Sequence, residues 1–78
     1  MDLIVAAART QALAEKAPFL SKNDPWVGRD HIMQMLSKII QGEVTGEKAH
    51  RWLGWAQCAV CMGGGASLNK LKEINFTS

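Results

Sequence analysis

Helix-breaking residues divide this 78-residue sequence into four segments, each with apolar residues at helical spacing. No run shows the period-two alternation of apolar and polar residues that is typical of a half-buried strand. The sequence therefore predicts an all-α fold, a compact bundle of about four helices with a central helical hairpin made by the second and third. We expect residues 1–78 to form a single helical domain. The breakers are Pro18, Pro25, Gly42 and the run Gly63-Gly64-Gly65.

The first predicted helix follows Asp2, a good N-cap, and runs to about Ala17, before Pro18. One face of this helix is narrow and rich in alanine, which suits close packing of helices within the chain or across a dimer. The residues of this face are Leu3, Ala6, Ala7, Thr10, Leu13, Ala14 and Ala17.

The start of the second helix is open between two alternatives. Asp24 can cap it with Pro25 at the first helical position, or Asp30 can cap a restart after Gly28. The strongest part is 30–41, where a broad apolar stripe is followed by Gly42. The stripe consists of Ile32, Met33, Met35, Leu36, Ile39 and Ile40.

The third helix is predicted to begin after Thr45 as N-cap and to run to about Met62. The glycines that follow indicate a helix stop and a flexible joint. Ser67 then caps a short fourth helix with three apolar residues on one side, namely Leu68, Leu71 and Ile74.

Composition limits the function classes. The net charge of +2 is small and evenly spread, so it does not favour a nucleic-acid or membrane partner. The amino-terminal apolar run is too short for a secretory signal and follows Asp2, and no segment approaches the length of a membrane span. We therefore expect a cytoplasmic protein whose two cysteines remain thiols. So small a core makes self-association or a protein partner a natural source of added stability.

The third helix carries the candidate binding residues Lys48, Arg51 and Trp55. A helical projection places Trp55 outside the core stripe that contains Trp52, near Lys48 and Arg51. Two interpretations follow. Either the fourth helix covers Trp55 and the basic stems lie over its ring, or Trp55 is an aromatic anchor for a partner. The same projection places Gln57 on the outer half.

The segment Lys48-Ala49-His50-Arg51-Trp52-Leu53-Gly54-Trp55-Ala56-Gln57 resembles a stretch in small uncharacterised proteins of phages and prophages. Those proteins tend to show the pattern Lys-Ala-x-Arg-Trp-Leu-Gly-aromatic-x-Gln, and the likeness covers roughly residues 24–75. The sequence departs from the pattern over 58–65, where a glycine is expected after the glutamine and fewer glycines later. The resemblance implies a phage accessory protein acting in a bacterial host cytoplasm. It assigns no activity.

No motif points to an enzyme, and we expect no catalytic residue, no metal site and no cofactor. Cys58 and Cys61 form a CxxC, but both lie deep in a helix, whereas a redox CxxC begins at a helix N-terminus. As zinc ligands they need two more residues, and His50 is about 12 and 16 Å away along the helix. The glycine run follows a helix and lacks the lysine of a phosphate loop.

Two functions remain at this level. The first is a non-enzymatic protein-binding module, in phage terms an inhibitor or modulator of a host protein complex that acts by steric occlusion. The second is a helix-turn-helix DNA-binding protein, since the third helix also presents Lys48, His50, Arg51 and Gln57. Glu43 and Glu47 at the end that would meet DNA disfavour it. A protein partner, with self-association left open, is therefore the leading expectation.

Overall fold

A computed structural model describes all 78 residues and contains four α-helices and no strand. The helices are α1 (Leu3–Glu15), α2 (Arg29–Ile40), α3 (Gly46–Met62) and α4 (Leu68–Thr77). They pack into a body of 28 × 25 × 16 Å, so the predicted all-α four-helix bundle is confirmed. α1 contacts all three other helices, whereas α2 and α4 do not touch.

Most of the predicted helix ends are confirmed. The carboxylate of Asp2 accepts hydrogen bonds from the backbone N–H groups of Ile4 and Val5 at 3.0 and 3.1 Å, and the Ser67 hydroxyl accepts one from Lys70 at 3.1 Å. Thr45 occupies the N-cap position of α3, although its side chain makes no capping bond. α1 ends at Glu15, two residues before the predicted end.

The start of α2 differs from both alternatives. Its first residue is Arg29 and its N-cap is Gly28, while Asp24 caps a separate turn by accepting from the N–H groups of Trp26 and Val27. The backbone of Gly28 packs closely against that of Asp24, and a Cβ at Gly28 would lie 2.4 Å from the carbonyl oxygen of Asp24. Because of this close packing, the chain turns at 24–27 and the helix begins only after Gly28. The segment 24–27 is therefore a tight turn that precedes the helix.

The core follows the predicted helix faces. Seventeen buried apolar residues from all four helices and the loops form one cluster, and Trp52 packs partly buried against it. Ala6, Ala7 and Ala14 of α1, and Ala17 just beyond its end, are fully buried inside the chain, so the narrow face of α1 serves packing within the chain. Leu68 is an exception among the predicted core residues, since it is 61% exposed.

The glycine run ends α3 as predicted, but it is packed tightly instead of forming a flexible joint. A Cβ at Gly65 would lie 2.8 Å from both the carbonyl oxygen of Leu13 and Cγ1 of Val60. The carbonyl oxygen of Gly63 also accepts a hydrogen bond from the backbone N–H of Phe19 at 2.8 Å. These contacts fasten the loop between α1 and α2 (residues 16–28, the α1–α2 loop) to the end of α3.

Candidate protein-binding surface

The side of α3 that faces away from the core forms a continuous exposed strip. α3 buries Ala49, Leu53, Ala56 and Val60, and residues on the opposite side of a helix recur at spacings of three and four. We call this strip the outer face of α3. Its members are Glu47, Lys48, Arg51, Gly54, Trp55, Cys58 and Met62.

Trp55 is the central large side chain of the outer face, and it is held in place while half exposed. Its surface is 49% accessible, and its indole N–H donates to the backbone carbonyl oxygen of Trp26 at 2.9 Å. The bond ties α3 to the turn before α2 and limits rotation of the ring. An exposed tryptophan with a fixed orientation loses little conformational freedom when a partner covers it.

The α1–α2 loop, and not α4, forms the wall beside Trp55. Phe19 and Val27 from this loop face Trp55 and Met62 across a groove of about 390 Å³. Phe19 and Met62 are 82% and 80% exposed, so the apolar rim of the groove is open to solvent. The nine lining residues are mostly apolar: Phe19, Leu20, Ser21, Val27, Trp55, Cys58, Ala59, Met62 and Gly63.

Two further concavities continue the groove along α3. One, of about 270 Å³, shares Trp55 with the groove and is lined by Trp26, His31, Met35, Arg51, Trp52 and Trp55. The other, of about 260 Å³, shares Cys58 and Met62 with the groove and extends towards Leu68 and Lys72 of α4. The three concavities therefore border the outer face along most of its length.

The three predicted binding residues all lie exposed on this surface. Arg51 and Trp55 line the same concavity. Lys48 is one turn further towards the N-terminus, and its Nζ lies 5.3 Å from the ring centroid of Trp52. Lys48 therefore makes a cation–π contact with the partly buried tryptophan and not with Trp55.

The contribution of Phe19 and Val27 in the α1–α2 loop was not predicted, whereas Trp26 is, like Trp55, a tryptophan that the sequence leaves open between core and partner contact. Phe19, Trp26 and Val27 lie far from α3 in the sequence, and only the fold brings them beside Trp55. One feature of the sequence could have indicated this contribution. Large apolar residues that lie in a turn-forming segment cannot join the core face of a helix, so they are candidates for a surface of this kind. Two of the three, Phe19 and Trp26, are more than two-thirds exposed.

Electrostatics near the turn centre on Asp24 and His31. The backbone N–H groups of Val27 and Trp26 donate to the Asp24 carboxylate and hold its pKa below the ordinary value of 3.8; nearby His31 lowers it further to a smaller extent. The ionised form of Asp24 thus stabilises the turn that places Trp26 and Val27.

Other candidate residues occupy less distinctive positions. Cys58 is an exposed thiol and Cys61 a half-buried one, and no group of three or more His, Cys, Asp or Glu side chains is arranged to hold a metal. Gln57 is buried and bonds to Thr10 and Asn75, which removes it from the set that would read DNA bases. None of the four helices combines the length and apolar character needed to cross a bilayer.

Comparison of the chain with protein-family models, with curated proteins and with solved structures finds no match.

Proposed function

We propose that this chain is a small non-enzymatic protein-binding module, a phage-type inhibitor or modulator of a host protein complex. In this proposal the outer face of α3 and the α1–α2 loop cover a functional surface of the target. The likeness of residues 48–57 to phage and prophage proteins is the reason for placing the target in a bacterial host. Steric occlusion is the mechanism, because a body of this size can block a surface by occupying it.

The observation that carries the proposal is the fixed exposure of Trp55. A soluble domain gains little from holding a tryptophan half in water beside an open apolar groove, and large exposed apolar patches mark interaction sites. Trp55, Phe19 and Met62 all lie within one such patch. Tryptophan and arginine are also the residue types that dominate interface energies, and Arg51 borders the same ring.

The test combines capture with stability. The intact chain is immobilised and used to capture proteins from a bacterial host lysate, and mass spectrometry identifies the captured species. The affinity of the identified target protein is then measured for the wild-type chain and for the variants Trp55→Ala, Arg51→Ala and Lys48→Ala. We expect Trp55→Ala to weaken binding tenfold or more, since truncating an anchor costs about 2 kcal/mol or more. The melting temperature of Trp55→Ala should fall by no more than about 4–8 °C, because the variant costs the fold only about 1 kcal/mol.

The matched control is Phe76→Ala. Phe76 is 91% exposed and lines none of the three concavities, so its loss should leave binding unchanged. If Phe76→Ala weakens binding as much as Trp55→Ala, the interface lies elsewhere. Tight, sequence-selective binding to duplex DNA at physiological salt, with no protein captured, would instead favour the helix-turn-helix function.

A further inference from the structure

We infer that the outer face of α3 receives an acidic amphipathic helix of the partner, which crosses α3 at Gly54. This inference rests on the proposed function and names the chemistry of the partner at that same surface. It is carried by the sign of the charges around the groove and by the position of one glycine.

The only formally charged side chains that line the three concavities are the cations Arg51 and Lys72. The groove itself is lined by no charged side chain, the concavity next to it contains Arg51 and His31, and the one at the other end contains Lys72. No carboxylate lines any of the three. A complementary ligand therefore offers apolar groups to the centre and carboxylates opposite Arg51 and Lys72.

Three carboxylates lie near this surface without lining a concavity. Asp24, close to His31, is ionised at neutral pH, and Glu47 of the outer face precedes Arg51 by one turn, so both reduce the positive charge at the Arg51 end. Glu73 of α4 is paired with Lys70 at 3.6 Å. The cations Arg51 and Lys72 take part in no ion pair within the chain.

Gly54 indicates how closely the partner approaches. It lies in the middle of α3, has no positive φ, and a Cβ there would meet no atom within 4 Å. Neither the helix backbone nor packing within the chain therefore requires glycine, although glycine weakens a helix relative to alanine. An external helix that crosses at Gly54 can bring its backbone close to α3, because small residues at the contact set the shorter interaxial distances.

A helix fits this surface better than a flat polyanion does. The centre of the surface is formed by Trp55, Met62 and Phe19, and an amphipathic helix places apolar residues at i, i+3, i+4 and i+7 with charges on both flanks. A nucleic acid would need a larger basic field than Arg51 and Lys72 provide.

The probe is an 18-residue fluorescein-labelled peptide with leucines along one helical face and glutamates on both flanks. A second peptide has lysine in place of every glutamate, and a third probe is an oligothymidine of 20 nucleotides. Binding of each to the intact chain is followed by fluorescence anisotropy. We expect the acidic peptide to bind at least tenfold more tightly than the lysine peptide and than the oligonucleotide, with affinity that falls as salt rises.

Variants locate the contact. Trp55→Ala should weaken the acidic peptide tenfold or more, and Arg51→Gln and Lys72→Gln should each weaken it several-fold. Lys38→Gln removes the same charge from an exposed residue outside the concavities and should have no such effect. Gly54→Gln, which blocks close approach while favouring the helix, should raise the melting temperature and still weaken binding tenfold.

Several results overturn the inference. They are binding of the lysine peptide or the oligonucleotide as tight as that of the acidic peptide, equal losses of affinity for Lys38→Gln and Arg51→Gln, or no loss of affinity for Gly54→Gln.

Self-association at micromolar concentration that Trp55→Ala abolishes would assign the surface to a second copy of the chain. If the acidic peptide fails but Trp55→Ala still loses the captured target, the proposed function stands and only the partner chemistry is wrong. If the acidic peptide binds while Trp55→Ala leaves target capture intact, the proposed function fails at this surface.

Discussion

The guanidinium of Arg29 donates to the carbonyl oxygen of Ala17 at 2.8 Å, and its Nε donates to that of Ala14 at 3.3 Å. α1 has no basic residue in its last turn. Arg29, at the start of α2, therefore supplies hydrogen-bond donors to the Ala14 carbonyl in the last turn of α1 and to the Ala17 carbonyl just after that helix. Arg9 does the same for α4, donating to Thr77, Ser78 and the carbonyl of Ile74. Each of these helix ends is closed by an arginine from another helix.

Replacement of Arg29 should therefore destabilise the fold. Arg29→Ala leaves the two carbonyls without their charged donor and should lower the free energy of unfolding by about 2 kcal/mol. Arg29→Lys should recover only part of this loss, because an ammonium cannot span two carbonyls as the guanidinium does. Urea unfolding followed by circular dichroism measures both. Equal stability of Arg29→Ala and the wild type would show that these bonds contribute nothing net.

A second prediction concerns the amide pair formed by buried Gln57 and half-buried Asn75. Each side-chain amide donates to the carbonyl of the other, at 2.7 and 2.9 Å, and Gln57 also donates to the Thr10 hydroxyl at 3.2 Å. Gln57→Leu leaves the Asn75 amide without its partner, although Thr10 still donates to Ala6, and should lower the free energy of unfolding by about 1–3 kcal/mol. The double variant Gln57→Leu with Asn75→Leu should recover much of that loss. Urea unfolding of the two single variants, Gln57→Leu and Asn75→Leu, and of the double variant gives the coupling energy, and a value near zero would contradict the pairing.

Sequence reasoning predicted the helices and the core faces well because those depend on local spacing. Asp2 and Ser67 cap their helices, and Gly63 ends α3, through neighbours a few residues away, so these roles can be inferred from local sequence. The close packing of Gly65 against Leu13 could not be, because α1 supplies that contact. The role of Gln57 could not, because a helical projection records polarity and not the partner that Asn75 supplies from another helix. The groove could not be predicted for the same reason, because only the fold brings Phe19, which forms one wall of the groove, close to Trp55.

A third prediction contrasts two glycines. Gly65→Ala should destabilise the domain by about 1–3 kcal/mol, because the added methyl would lie 2.8 Å from the backbone oxygen of Leu13, which cannot move without shifting α1. Gly54→Ala is the matched control and should stabilise the domain by about 1 kcal/mol, since the site is open and alanine favours a helix. Thermal melts of the two variants should therefore shift in opposite directions. A rise for both variants would show that the glycine run after α3 can adjust to the added methyl, and a fall for both would show that Gly54 is needed by the fold.

A fourth prediction concerns acid. Because the folded chain holds the pKa of Asp24 below 3.8, its contribution to stability is fully present above that pH and is lost as the pH falls through the folded value. Asp24→Asn keeps an oxygen that can accept from Trp26 and Val27, so the turn should remain but its dependence on acid should weaken. The measurement is the free energy of unfolding between pH 2 and 6 for wild type and variant. Identical pH profiles would show that the Asp24 carboxylate has no linkage to folding.

The last prediction separates the two tryptophans of α3 by stability alone. Trp52 is partly buried against the core and Lys48 lies over its ring, so Trp52→Ala should lower the free energy of unfolding by about 2 kcal/mol, somewhat less than the 3–5 kcal/mol typical of a fully buried tryptophan. Trp55 is half exposed and contributes one hydrogen bond to Trp26, so Trp55→Ala should cost about 1 kcal/mol. Trp55→Phe removes the indole N–H but keeps an aromatic ring, and it should fall between Trp55→Ala and the wild type. Since 1 kcal/mol shifts the melting temperature of a domain this size by about 4–8 °C, calorimetry resolves the order. If Trp55→Ala is the most destabilised of the three variants, the Trp55 indole contributes mainly to folding stability and not to partner binding.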